Sequence, residues 1–184
     1  LDPDWYPLQV ANYILGGNFT SRINLNLRED KGYTYGARSG LEGGVRPGAF
    51  AASAAVATDV TAPALAELLG ELERVLEGVT PSELDFARAA LAQGLLSQYE
   101  GTQPRLALGD NVSRYGWPDD YPSERLAVLA GLTTDDVRTL AQRHWRPAQF
   151  AILVVGDRER VRAGLEGLGR GPVRELDAQG NPLA

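Results

Sequence analysis

The sequence predicts an α+β fold, a mostly antiparallel sheet with helices packed on one face. Three observations carry this reading. Residues 33–56 run with a period of two around a Gly/Pro-rich turn, residues 61–144 follow a helical period, and Phe150–Val155 is a continuous apolar run stopped by Gly156-Asp157. Strands at both ends of a helical block are the pattern of helices segregated to one face of a sheet.

The elements follow in order. Asp4 stands where it can cap a first helix, with Leu8, Ala11 and Ile14 on one face and Gly16-Gly17 at its end. Asn18 is the expected cap of a second helix of about three turns, with Phe19, Ile23 and Leu27 along one stripe and Gly32 as its stop. From Tyr33 the period changes to two, and a turn between Gly43 and Gly48 joins two runs into a hairpin. On the second run Phe50, Ala52, Ala54 and Val56 share a face. Leu65, Leu68, Leu69, Leu72, Val75 and Leu76 then recur at helical spacing and read as core. Thr80-Pro81-Ser82-Glu83 is a capping box with proline at the first helical position. The helix it opens carries Leu84, Ala87, Leu91 and Leu95 inward to about Tyr99. Further helices are expected from Pro104 to Tyr115, over 123–130, and over 134–144 with Thr133 or Thr134 as cap. Phe150–Val155 reads as a buried strand. Residues 1–166 make the expected single domain, and 167–184 a tail with a short edge strand near Val173–Leu176.

With 184 residues, 43% of them hydrophobic, the chain is long enough to bury a sizeable core. No apolar run approaches the roughly 18 residues of a membrane span. The net charge of −6 argues against a nucleic-acid partner, since phosphate contacts need clustered Lys and Arg. With no Cys there is no disulfide and no thiolate chemistry, so a reducing, cytoplasmic location is the expectation. The sequence lacks Met and begins at Leu1, and so reads as an excised or processed chain whose true N-terminus lies elsewhere.

The most informative stretch is Leu27 to Tyr35. Arg28 lies four residues before Gly32, about 6 Å along a helix axis. Tyr35 lies three residues after it, about 10 Å along a strand. If Gly32 reverses the chain, both side chains are long enough to meet across the corner. A guanidinium there donates to peptide carbonyls, and a phenol donates to an oxygen gaining negative charge. Spacing alone also allows a structural role, because Arg in a last helical turn suits the helix dipole and Tyr suits a strand.

The run Leu15-Gly16-Gly17-Asn18-Phe19-Thr20-Ser21-Arg22 through Leu27-Arg28-Glu29, continuing to Gly32-Tyr33-Thr34-Tyr35, resembles the inactive-half signature of the pitrilysin/insulinase zinc metallopeptidases, among them mitochondrial processing peptidase. Thr80–Leu84, Gly131–Val137 and Val154-Val155-Gly156-Asp157 fit the same pattern, so that the similarity covers about residues 4–160. The resemblance implies a LuxS/processing-peptidase-like half that works with a homologous domain or subunit. That partner carries an H-x-x-E-H motif and the zinc, while this half supplies an Arg/Tyr pair for the peptide substrate. Carried onto this sequence, Arg28 is the expected substrate-binding residue, and Tyr35 both binds substrate and supports the transition state. The chain itself is expected to hold no metal and to be inactive alone, in a bacterial, oligomeric enzyme. Ser21 and Arg22 match the pattern and read as structural, a helix-terminal hydroxyl and an ion-pair donor. The alternative is a non-catalytic scaffold of the same fold, like the core subunits of respiratory complexes.

His144 is the only histidine, whereas H-x-x-E-H needs two, so this chain cannot build that site. At a predicted helix end beside Trp145, it reads as a dipole partner or packing residue. Gly16-Gly17 is no phosphate loop, because no Gly-Lys-Ser/Thr follows. Asp119-Asp120 and Asp135-Asp136 read as capping and loop charges.

Overall fold

A computed structural model describes residues 2–43 and 48–183. It is α+β, with one antiparallel hairpin and helices on its packed face. Helix α1 spans Trp5–Leu15 and α2 spans Arg22–Asn24, which runs directly into a π turn over Leu25–Asp30. Strands β1 (Thr34–Leu41) and β2 (Phe50–Val56) follow, then helices α3 (Thr61–Arg74) and α4 (Pro81–Gln98). Helices α5 (Thr102–Tyr115), α6 (Tyr121–Gly131), α7 (Thr134–His144) and α8 (Arg158–Gly167) complete the order.

Helix α1 packs against α4, α6, α7 and β1, which makes it the central rod of the core. Its Val10, Ala11 and Leu15 are fully buried, with Ile23, Leu27, Val75, Val137 and Trp145 around them. Phe50 and Phe150 close one end, the Phe50 ring lying 4.9 Å from Trp145 and 5.8 Å from Phe150. Burying each of these side chains stabilises the fold by about 1.5–3 kcal/mol. On β2 the expected face holds: Phe50, Ala52, Ala54 and Val56 pack on the core, while Ala51, Ser53 and Ala55 are exposed. The predicted capping box of Thr80 with Glu83 is present, and Thr133, one of the two expected caps of α7, forms a second box with Asp136.

Several expectations are corrected. The run Phe150–Val155 is not a buried strand; it pairs with nothing among the described residues, and Leu153 and Val155 are 78% and 91% exposed. Apolar composition drives burial only where a neighbour is available, and here the adjacent sheet edge is not within pairing reach. Asn18 does not cap α2. Its carboxamide oxygen accepts from the Thr20 N–H (2.7 Å) and its NH2 donates to the Tyr13 carbonyl (2.6 Å), an Asx turn that delays the helix to Arg22. Phe19 therefore leaves the apolar stripe and is 62% exposed. Asp4 flanks α1 but makes no capping bond, because its carboxylate is taken by Arg143 (2.6 Å) and His144 (2.8 Å). The Ser21 hydroxyl is buried without a partner. In the tail, Leu176 forms one isolated bridge with Pro182 in place of a strand. The turn expected between Gly43 and Gly48 falls largely on 44–47, outside the described residues; its flanks meet through the Glu42 N–H donating to the Ala49 carbonyl at 2.9 Å.

Candidate functional site

The corner between α2 and β1 is built on a widened helical turn. Lys31 N–H reaches back five residues to the Asn26 carbonyl (3.0 Å), and Tyr33 N–H reaches back six to Leu27 (2.8 Å). A π turn of this kind is uncommon and is found disproportionately at functional sites. It accompanies burial of both Asn26 and Leu27, the first bonded to Glu67 and Glu71 on α3, the second in the core. Gly32, at φ +64°, then reverses the chain in a left-handed conformation that side chains rarely adopt.

On the strand side, Thr34 pairs with Val56 and Ala37 with Ala54, so Tyr35 and Gly36 together oppose Ala55 alone. This is a β-bulge, a device that bends a strand and re-aims a side chain. The Thr34 hydroxyl braces it, accepting from Gly36 N–H (3.1 Å) and donating to the Ala55 carbonyl (2.7 Å). Tyr35, on the bulge, is 100% exposed. Arg28, on the other arm, lays its guanidinium 4.1 Å over the Phe19 ring and pairs with Glu29 at 2.5 Å. Arg28 and Tyr35 thus sit on either side of the Gly32 reversal. They share no hydrogen bond, and neither lines any of the cavities described for the chain.

Three sets of buried and half-buried contacts hold the corner from behind. Asn24, 2% exposed, accepts from the Ala37 N–H (2.9 Å) and donates to the Phe19 carbonyl (2.6 Å), tying the Arg28 helix to the Tyr35 strand. Asn12 accepts from the Ser39 hydroxyl (2.7 Å), while Ser39 N–H donates to Gly16 (2.9 Å). Gly16 permits that approach: a Cβ there would stand 2.5 Å from the Ser39 nitrogen. Arg22 grips Glu83 with two bonds (2.6 and 2.8 Å) and donates to the Gly78 carbonyl (3.1 Å), as expected of an ion-pair donor. Burial pushes the Glu83 carboxyl up, yet bonds from Arg22 and from Thr80 outweigh it and hold the pKa at about 2. Asn12 and Asn24 are the positioning residues that sequence reasoning missed. The available signal was a polar residue on an apolar helical face, Asn12 four after Leu8 and Asn24 three before Leu27.

His144 donates from Nε2 to the Asp4 carboxylate, and that contact is the chief cause holding the carboxyl below its ordinary range. Among the described residues no cluster of His, Cys, Asp or Glu is arranged to hold a metal ion, so the residues present do not fit a zinc centre.

Comparison with known proteins gives the class of domain. Residues 1–91 match the family model described as the peptidase M16 inactive domain. An uncharacterized zinc protease of Mycobacterium tuberculosis is 28% identical over 153 residues, covering 82% of this chain and 34% of that protein. Another from Rickettsia bellii is 27% identical over 141 residues, covering 75% of this chain and 34% of that protein. Among solved structures, the peptidase M16 inactive domain from Pseudomonas fluorescens superimposes with a TM-score of 0.74 at 26% identity, over 79% of this chain and 35% of that one. A protease from Helicobacter pylori shares the fold, with a TM-score of 0.60 at 18% identity over 76% of this chain and 34% of that one. The chain belongs to the M16, pitrilysin-type zinc metallopeptidase family, as its inactive, non-zinc type of domain. It spans about a third of the length of the curated relatives it matches.

Proposed function

We propose that this domain is the substrate-binding half of a peptide-hydrolysing zinc metallopeptidase. A homologous H-x-x-E-H domain or subunit, fused or separate, supplies the metal. In this reading Arg28 leaves Phe19 and Glu29 to donate to carbonyl oxygens of an extended peptide, and Tyr35 donates its phenolic proton to the oxygen that gains charge when the scissile carbonyl is attacked. The observation that carries it is the aim of Tyr35: a large aromatic side chain held wholly in solvent on a braced bulge, one glycine reversal from an arginine. An aromatic ring left in water is unfavourable unless a second surface covers it. Neither Arg28 nor Tyr35 lines a described cavity in this chain alone, so in this reading the other wall of the site comes from the partner.

The test is reconstitution with the candidate zinc-bearing partner. Tyr35→Phe should lower kcat by about tenfold to a hundredfold, with KM changed far less, because the phenol contact strengthens only in the transition state. The unmixed chain should hold no stoichiometric zinc and turn over no peptide. Parent-level kcat in Tyr35→Phe removes the catalytic role, and turnover by the unmixed chain contradicts the division of labour.

A further inference from the structure

We propose that the groove between β2 and residues 150–156 is a strand-receiving slot, filled by a neutral, apolar β-strand of about six residues from polypeptide outside residues 1–184. The groove has a volume of about 670 Å³, is floored by Leu65 and Leu68 of α3, and has no charged side chain in its lining. One of its walls is the outer edge of β2, whose other edge is fully engaged by β1. No backbone hydrogen bond links that outer edge to another described segment. The other wall is the run Ala151–Val155, flanked by Phe150 and Asp157 in extended conformation, and it too makes no backbone hydrogen bond among the described residues.

Two facing rows of unused peptide groups define the occupant's chemistry. An open strand edge is satisfied by another strand, and a strand laid between two such edges satisfies both at once. A helix in the same place would keep its peptide groups to itself and leave both walls unpaired. The uncharged lining excludes a charged segment, since nothing there would offset the loss of its hydration. Alternate residues of the incoming strand face α3 and are apolar, continuing the face formed by Phe50, Ala52, Ala54 and Val56. Ile152, Leu153 and Val155, at 40%, 78% and 91% exposed, are the apolar surface such a strand would order and partly cover. The source is a longer polypeptide: the Mycobacterium tuberculosis and Pseudomonas fluorescens relatives match this chain over only 34% and 35% of their own lengths. The inference stands whether or not Arg28 and Tyr35 handle substrate.

The test titrates the 184-residue chain with a capped peptide of about eight residues, alternating Val and Thr, up to millimolar concentration. Amide exchange is read residue by residue by NMR. Exchange at 151–155 and along the outer edge of β2 should slow at least tenfold at saturation. The same peptide methylated on every second backbone nitrogen should bind at least tenfold more weakly, and so should the unmodified peptide to Val154→Pro. That variant removes an N–H unused in the free chain, so its melting curve should match the parent's. Equal binding of the methylated peptide, absence of protection, or a stable dimer in sedimentation that pairs 151–155 with a second copy overturns the proposal.

Discussion

Asn24→Ala is the perturbation that reads the corner most directly. In the native fold the carboxamide satisfies the N–H of Ala37, itself 6% exposed, and donates to the carbonyl of Phe19, a residue at 62% exposure. Alanine orphans both groups, with different consequences. The Phe19 carbonyl gains water, so its loss is that of an ordinary hydrogen bond, about 1 kcal/mol. The Ala37 N–H has no route to water and carries a desolvation penalty of about 2 kcal/mol. The sum, about 3 kcal/mol, corresponds to a Tm decrease of about 6–12 °C for a domain of this size. The assay is thermal unfolding by circular dichroism, combined with amide exchange at Ala37, which should move from strongly protected to rapidly exchanging. A Tm decrease under about 3 °C, or an Ala37 amide that stays protected, refutes the claim that Asn24 joins the two arms.

Gly16→Ala tests the close approach of α1 to β1. The new Cβ would lie 2.5 Å from the Ser39 nitrogen and 2.8 Å from its Cβ, forcing a backbone shift that costs about 1–3 kcal/mol, read as a lower urea midpoint. Glu83→Gln tests the lock behind the corner. The folded pKa of about 2 lies below the ordinary 4.5, so the native state binds fewer protons and the carboxylate's contribution is complete above pH 4.5. That contribution is lost as pH falls through about 2, so the stability gap between parent and Glu83→Gln should narrow across that window. A gap independent of pH would contradict the assignment. In the reconstituted enzyme, Glu29→Gln should lower KM by up to about fivefold, since it removes a competitor for Arg28 worth at most about 1 kcal/mol; an unchanged KM would mean that the pair does not compete with substrate.

What the sequence made legible follows from the range of each interaction. Helices α3 to α7 were readable because leucine spacing, the box Thr80–Glu83 and the Thr133 cap are local signals, complete within a few residues, whereas α8, which buries only Val161, carries no such stripe and was missed. The Gly32 reversal was readable for the same reason. Asn18 misled because its side chain competes equally well for helix capping and for an Asx turn, and only the position of Tyr13 decides between them. Phe150–Val155 misled because apolar runs report a tendency to pair and cannot name the partner. The bulge at Tyr35 was invisible, since it arises from a mismatch in pairing between two strands and not from either strand's residues.

Two arginines six residues apart on one helical segment have opposite fates, and the contrast separates the scaffold from the site. Arg22 is locked: its fork meets the Glu83 carboxylate with two bonds, a third goes to Gly78, and the side chains are only 19% and 28% exposed. Removing any part leaves a half-buried charge unpaired, so Arg22 cannot be lent to a ligand without destabilising the start of α4. Arg28 is held lightly. Its pair with Glu29 is solvent-exposed at 31% and 51% and contributes about 0–1 kcal/mol, and the stack on the exposed Phe19 ring contributes about 0.5–1 kcal/mol more. A peptide carbonyl accepting from the guanidinium returns about 1.5–3 kcal/mol per bond, enough to displace both contacts with a single hydrogen bond. The same helix therefore fixes its N-terminal arginine to hold the corner and holds the next one only weakly, as the proposed substrate contact requires.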